Sequence, residues 1–495
     1  MTTDLTICRA RLHPDTSDPV ASELVDITIR DGTVASIAAH EGLRGGAVDA
    51  DGAVVLPGLW DAHVHVSTHS LVGECLQLPS DAELGEVLER VSGELATRAG
   101  TGLLVGFGFR SATWVEEPTA AVLDALTDDP IVLIGGDLHT LWCNTPALAL
   151  LQATYDSSGV LREDDAFSAM LRLMDSETDH VDALVRGAQR RAAALGVVGM
   201  VDMEMLWAVG AWQRRAMSGT SLQRVQVATY PDNLERLITM GLRTGDGLGH
   251  RLNVGPLKII SDGSLNSRTA HCLAPYPHPI AGAPHGVANY SWQDMVSLMR
   301  RAAQHGIHAA VHAIGDLACR DALDAFDRTG ARGSIEHAQL VHPDDLPRFA
   351  ELSVEASVQP AHLLEDEAVL DEVWQSSTDR AFPLQSLLSA GAILRMGSDA
   401  PVSPLDPWLA MDVAVHKPHR PNQALTPSQA LTASMRSRVA VGQAADLIVV
   451  PHSPAQLDQG HFTSEECLLT LVGGEPTHAT VERIADSACD NALQR

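Results

Sequence analysis

A chain of 495 residues with 45% hydrophobic and 20% charged residues has the balance of an ordinary globular protein with a large core. Its formal net charge is −29, from 63 acidic and 34 basic residues, which argues against nucleic acid or an anionic membrane surface as a partner. The seven scattered cysteines, Cys8, Cys75, Cys143, Cys272, Cys319, Cys467 and Cys489, form no CxxC pair, so reduced thiols in a cytoplasm fit better than a disulfide framework or a thiolate zinc site.

The N-terminus, MTTDLTICRARLHPD, has no basic start followed by an apolar run, so no secretory leader is expected. No apolar run approaches the length of a membrane span. Residues 1–56 read as short strands, with Asp31-Gly32 as a hairpin turn between alternating apolar residues. ADLIVVPHS and CLLTLVGGEPTHATV near the C-terminus show the same habit, which predicts a small β-sandwich domain from residues 1–56 and 440–495. Between them, residues 57–439 alternate apolar runs with amphipathic stretches. GLWDAHVHV, GVVGMVDM, RVQVATY, NVGPLKIISD, IHAAVHAIGD, GSIEHAQL, SVEASVQP and AILRMGSDAP supply eight strands, the pattern of a parallel (β/α)8 barrel. Too much chain separates the first two of these for one βα unit. GLLVGFGF and PIVLIGGDLHTLWCN therefore belong to an inserted subdomain at about residues 68–195.

His63 and His65 lie two apart on the first strand, so both imidazoles face one side and offer two neutral nitrogens to one ion. Asp61 shares that face and could orient one of them. His312, His337 and Asp399 each close an apolar strand, and Lys258 lies in VGPLKIISDGS. Catalytic groups of a barrel gather at those strand ends. A barrel of about 250 residues allots roughly 31 to each βα unit. The gaps are 193 residues from His65 to Lys258, then 54, 25 and 62 to His312, His337 and Asp399. They place these residues on strands one, four, five, six and eight, with the insertion in the first gap. By the same alternation Glu336 turns away from His337, toward the outer helices, and Asp262 and Asp316 read as turn or cap residues.

PGLWDAHVH, LKIISDGSLNSRTA, VHAIGD, IEHAQ, SVQP and GSDAPV, in this order and over nearly the whole chain, resemble the amidohydrolase superfamily. Within it, they are similar to the amidohydrolase 3 branch of YtcJ-type and N-substituted formamide deformylase-type proteins. The resemblance implies a (β/α)8 barrel with a flanking β-sandwich and one or two divalent ions, zinc or similar. It implies His63 and His65 as ligands of one ion, His312 and His337 as ligands of a second, and Asp399 as ligand and general base. Lys258 falls where family members carry a lysine that is often carboxylated and bridges two ions. The alternative for it is an unmodified lysine paired to a carboxylate. A bound ion lowers the pKa of its water from 15.7 to about 7, so a metal-held hydroxide can attack an amide carbonyl. The implied reaction is hydrolysis of a C–N bond in an amide, an N-substituted formamide or a related small molecule.

A deaminase or an ester or carbamate hydrolase on the same metals is the rival reading, although VHAIGD lacks the glutamate that deaminases of this superfamily carry after strand five. A non-catalytic scaffold would have eroded these ligands. Where many members read DGH before a tryptophan and an asparagine, this chain has GGDLHTLWCN, which makes His139, Trp142 and Asn144 substrate-side candidates. Arg268 in SRTA is a further one, as a partner for a substrate carboxylate or as a structural ion pair. Assembly is left open between a monomer and a homodimer.

Overall fold

The computed structural model describes residues 4–14 and 24–481, apart from 44, 99–101, 112, 113, 117, 154–157, 176, 177, 206 and 220. Eight parallel strands form its centre: β1 Leu59–Val64, β2 Val197–Asp202, β3 Arg224–Thr229, β4 Leu252–Ile260, β5 Ala309–Ala313, β6 Gly333–His337, β7 Val354–Val358 and β8 Leu394–Met396. Each pairs with the next in chain order. The ring closes where Val64 bridges Ala400 in parallel. At that seam the His65 N–H reaches the Ala400 carbonyl at 2.9 Å and the Asp399 N–H reaches the His63 carbonyl at 2.6 Å. All eight coincide with the apolar runs of the sequence. They are continuously apolar because helices cover one face and packed side chains fill the other. β2, for example, is buried at every position.

The N-terminal strands Leu5–Leu12, Val25–Arg30, Thr33–Ala39, Val48–Asp49 and Val54–Pro57 join Leu447–Val450, Leu469–Val472 and Glu475–Ala479 from the C-terminal end in one hydrogen-bonded run. The link between the two ends is the antiparallel pairing of Val54–Pro57 with Leu447–Val450. Asp31 and Gly32, at φ 47° and 74°, make the two-residue hairpin turn between Val25–Arg30 and Thr33–Ala39.

Between β1 and β2 a five-stranded sheet forms from Leu76–Gln77, Leu104–Phe109, Ile131–Gly135, Thr140–Cys143 and Val160–Arg162. It has its own apolar cores, which include Leu133, Leu141 and Trp142. Helix Thr178–Ala194, which spacing alone assigns to the insertion, packs Val181, Val185 and Ala192 with Val64 and Val197 of the barrel. Its apolar stripe thus belongs to the barrel wall. None of the six described cysteines is in a disulfide among the described residues. Among the described residues, no helix is long and apolar enough to cross a membrane.

Candidate metal centre

The seam between β1 and β8 brings the first three candidates together. Gly397 follows β8 and passes so close to β1 that a Cβ there would lie 2.6 Å from the His63 nitrogen. Two residues on, Asp399 adopts φ 54° and turns its carboxylate toward the barrel axis. Its Oδ1 lies 3.4 Å from His63 Nε2 and 3.3 Å from His65 Nε2, and its Oδ2 lies 3.6 Å from His362 Nε2. Asp61 braces this seam from below by accepting the His63 N–H at 3.0 Å, the Ser398 N–H at 3.0 Å and the Ser398 hydroxyl at 2.5 Å. Burial nevertheless raises its pKa to about 6. Asp61 therefore positions the backbone of His63 and not its ring.

The ring of His63 is held by Glu336, whose Oε2 lies 2.7 Å from Nδ1. This corrects the expectation that Glu336 faces the outer helices. Alternation predicts that neighbours on a strand face opposite ways, but His337 sits at φ 74° and Ala338 at φ 43°. The strand ends there in left-handed backbone, so Glu336 and His337 both turn inward. With Nδ1–H donating to the carboxylate, His63 presents its Nε2 lone pair to the centre. That nitrogen faces Asp399, and Lys258 Nζ lies 3.0 Å from it. Lys258 is 1% exposed, and burial brings its pKa down to about 8 against the pull of Glu336 and Asp399.

His337 packs its ring 4.4 Å from that of His312 and 5.0 Å from that of His63. Burial holds His63, His312 and His337 below the usual imidazole range, hence neutral. For Asp399 burial works the other way, but His63, His65 and His337 outweigh it and hold the carboxyl well below its ordinary value. His312 Nε2 lies 3.3 Å from the Gly263 carbonyl and 3.4 Å from Asp262 Oδ1. Asp262 accepts the N–H groups of His271, Ile314 and Gly315, so it ties the loop after β4 to the end of β5.

Among the described residues, two groups could each hold an ion: His63, His65 and Asp399, and His337, His362 and Asp399. They share Asp399, and within each group the ligand atoms lie within 4.8 Å of one another. The donor chemistry fits a divalent metal, because neutral imidazoles and an ionised carboxylate converge in a buried site. His362 Nε2, the ring nitrogen that faces Asp399, is buried without a hydrogen-bond partner among the described residues, a cost that coordination by that nitrogen would offset. His362 is missing from the sequence reading. The rule that selects the other ligands also applies to it, since it follows the apolar strand SVEASV by a few residues.

Of the substrate-side candidates, His139 lines the same pocket, its ring 5.7 Å from that of His312. Burial alone would lower its pKa, but the charge and 2.8 Å hydrogen bond of Glu163 raise it to about 9. Trp142 and Asn144 are instead fully buried in the inserted subdomain. The Trp142 indole donates to the Thr119 carbonyl, and Asn144 caps helix Thr145–Leu150 while accepting from Ile131 N–H. Neither reaches the pocket: an apolar indole and a cap amide serve the subdomain's own packing. Arg268 lies outside the pocket as well, on a neighbouring cavity.

The amidohydrolase family model matches residues 46–478. The chain belongs to the amidohydrolase family. This amidohydrolase is similar to the protein YtcJ of Bacillus subtilis, at 24% identity over 86% of this chain and 89% of the relative. It is also similar to the N-substituted formamide deformylase of Arthrobacter pascens, at 23% identity over 95% and 97% of the two chains. Both belong to the same branch. An uncharacterized metal-dependent hydrolase from Pyrococcus horikoshii superposes with a TM-score of 0.76 at 25% identity, covering 93% of this chain and all of that one. The barrel is therefore of the TIM type, and membership of the family makes the protein a hydrolase.

Because Glu336 fixes the tautomer of His63, Glu336→Gln is expected to weaken metal affinity by about 10–100-fold. Competition with a chelator measures this, and an unchanged affinity would remove Glu336 from the support of the site.

Proposed function

We propose that this amidohydrolase cleaves a C–N bond of an amide, an N-substituted formamide or a related group, with Asp399 as general base. The observation that carries this reading is the placing of one carboxylate between His63 Nε2 and His65 Nε2, at 3.4 and 3.3 Å, with His362 behind it. Zinc or a similar ion would be held by His63, His65 and Asp399, and a second by His337, with His312 and His362 beside it, and by Lys258. When bound, such ions polarise the scissile carbonyl and bring the pKa of water from 15.7 down to about 7.

Asp399 takes the proton of the attacking water and later delivers it to the leaving amine. Its low pKa keeps it ionised, and its two oxygens face different imidazoles. Lys258, with a pKa near 8, has a neutral fraction at physiological pH. That amine can attack carbon dioxide and release a proton, leaving a carbamate whose two oxygens suit a bridging role. His139, kept protonated by Glu163, offers a ring N–H to a carbonyl oxygen from the subdomain side. No serine or cysteine nucleophile is needed.

Elemental analysis of the purified protein, together with hydrolysis assays on N-substituted formamides, simple amides and matched esters, tests this reading. One or two equivalents of metal with preferential amide or formamide cleavage is expected. Cleavage of the esters alone would favour the ester-hydrolase alternative. Absence of metal even after addition of zinc and bicarbonate would overturn the proposal.

A further inference from the structure

The pocket above the imidazoles encloses about 60 Å³, room for a scissile group and little more. Beside it lies a second cavity of about 360 Å³. The two share Arg110, Asp137 and Asn266 as a common wall. The rest of a substrate seated at the imidazoles therefore has a roomy cavity next to it.

That second cavity is basic in a strongly acidic protein. Arg110, Arg162 and Arg268 line it, against Asp137 as the lining carboxylate. Arg110 and Asp137 are among those already engaged. Arg110 binds Glu365 and also Asp366, the latter at 3.3 Å. Asp137 accepts the His139 N–H at 3.1 Å and the Ser264 hydroxyl at 2.8 Å. Arg268 is different. It sits at φ 58°, a backbone state uncommon for a side chain of its size. Its Nη1 reaches the His278 carbonyl at 3.4 Å, and its buried Nε has no hydrogen-bond partner among the described residues. A guanidinium is a planar fork of donors that matches a carboxylate or a phosphate, and the 3.4 Å contact to the His278 carbonyl uses one of them.

We infer that this cavity is an anion subsite in which Arg268 binds a carboxylate or phosphate borne by the substrate. The scissile group lies on the other side of the Arg110–Asp137–Asn266 wall. The substrate class becomes an anionic amide, such as an N-acyl or N-formyl amino acid or a phosphorylated amide. This assignment rests on the hydrolytic reading for its substrate and on the cavity alone for its anion.

Calorimetric titration of the metal-loaded enzyme with glutarate and, separately, with inorganic phosphate tests the anion site and distinguishes the two sources. At least one is expected to bind, and R268M to bind it at least 10-fold more weakly. R268Q, which keeps a polar group in the cavity, serves as a second neutral variant with the same expected loss. No binding of either anion, or equal binding by wild type and both variants, overturns the inference. A kinetic arm compares N-formyl-6-aminohexanoate with N-formylhexylamine. R268M is expected to raise KM at least 10-fold for the first, leave the second within twofold, and change kcat little. Should neither formamide be hydrolysed while the Arg268-dependent binding persists, the proposed reaction fails and the anion site stands.

Discussion

Asp399→Asn is expected to lower kcat by about 10³-fold or more, because it removes both the proton acceptor and the charge that faces the imidazoles. The fold should survive. Asn tolerates the left-handed backbone that Asp399 adopts at φ 54°, and the amide is close in shape to the carboxylate. The seam itself rests on main-chain bonds, among them Asp399 N–H to the His63 carbonyl at 2.6 Å, which the substitution leaves in place. Far-ultraviolet circular dichroism and thermal unfolding establish the fold, and steady-state kinetics establish the loss. A variant that folds normally and keeps kcat within tenfold of wild type would remove Asp399 as the base.

Lys258→Ala is expected to lower the metal content by about one equivalent and kcat by about 10²-fold. The side chain is 1% exposed and its Nζ is 3.0 Å from His63 Nε2, so nothing from solvent can replace it without entering the barrel. In its unmodified state the amine stands where it competes with an ion for the lone pair of His63. Its value to the site therefore depends on losing its positive charge, by deprotonation or by conversion to a carbamate. If Lys258 is instead a charged partner of Glu336, the alanine variant should keep its metal and lose mainly stability, since Glu336 would be left with one fewer counter-charge. Elemental analysis separates the two outcomes: unchanged metal in a folded variant excludes the bridging role.

Much of this was legible from the chain itself because it depends on local rules. Buried parallel strands must be continuously apolar, so eight such runs announced the barrel. Two histidines two apart on a strand must share a face, so His63 and His65 declared themselves. Polar residues ending apolar runs, spaced by multiples of one βα unit, picked out Lys258, His312, His337 and Asp399, and the pocket contains them all.

What the tertiary structure decided are the matters on which local rules are silent or fail. Alternation put Glu336 outside, and a left-handed His337 put it inside, on the ring of His63. The family resemblance made Trp142 and Asn144 substrate-side candidates, yet the subdomain consumes both in its own packing and capping. Closure of the ring makes Asp399 a neighbour of His63 and His65 across more than three hundred residues, and places His362 behind it. The cavity that carries Arg268 arises where the inserted sheet meets the loop after β4. Periodicity reports which way a side chain points while the backbone stays regular. At strand ends, seams and junctions the backbone is irregular, and there only the folded arrangement determines which groups meet.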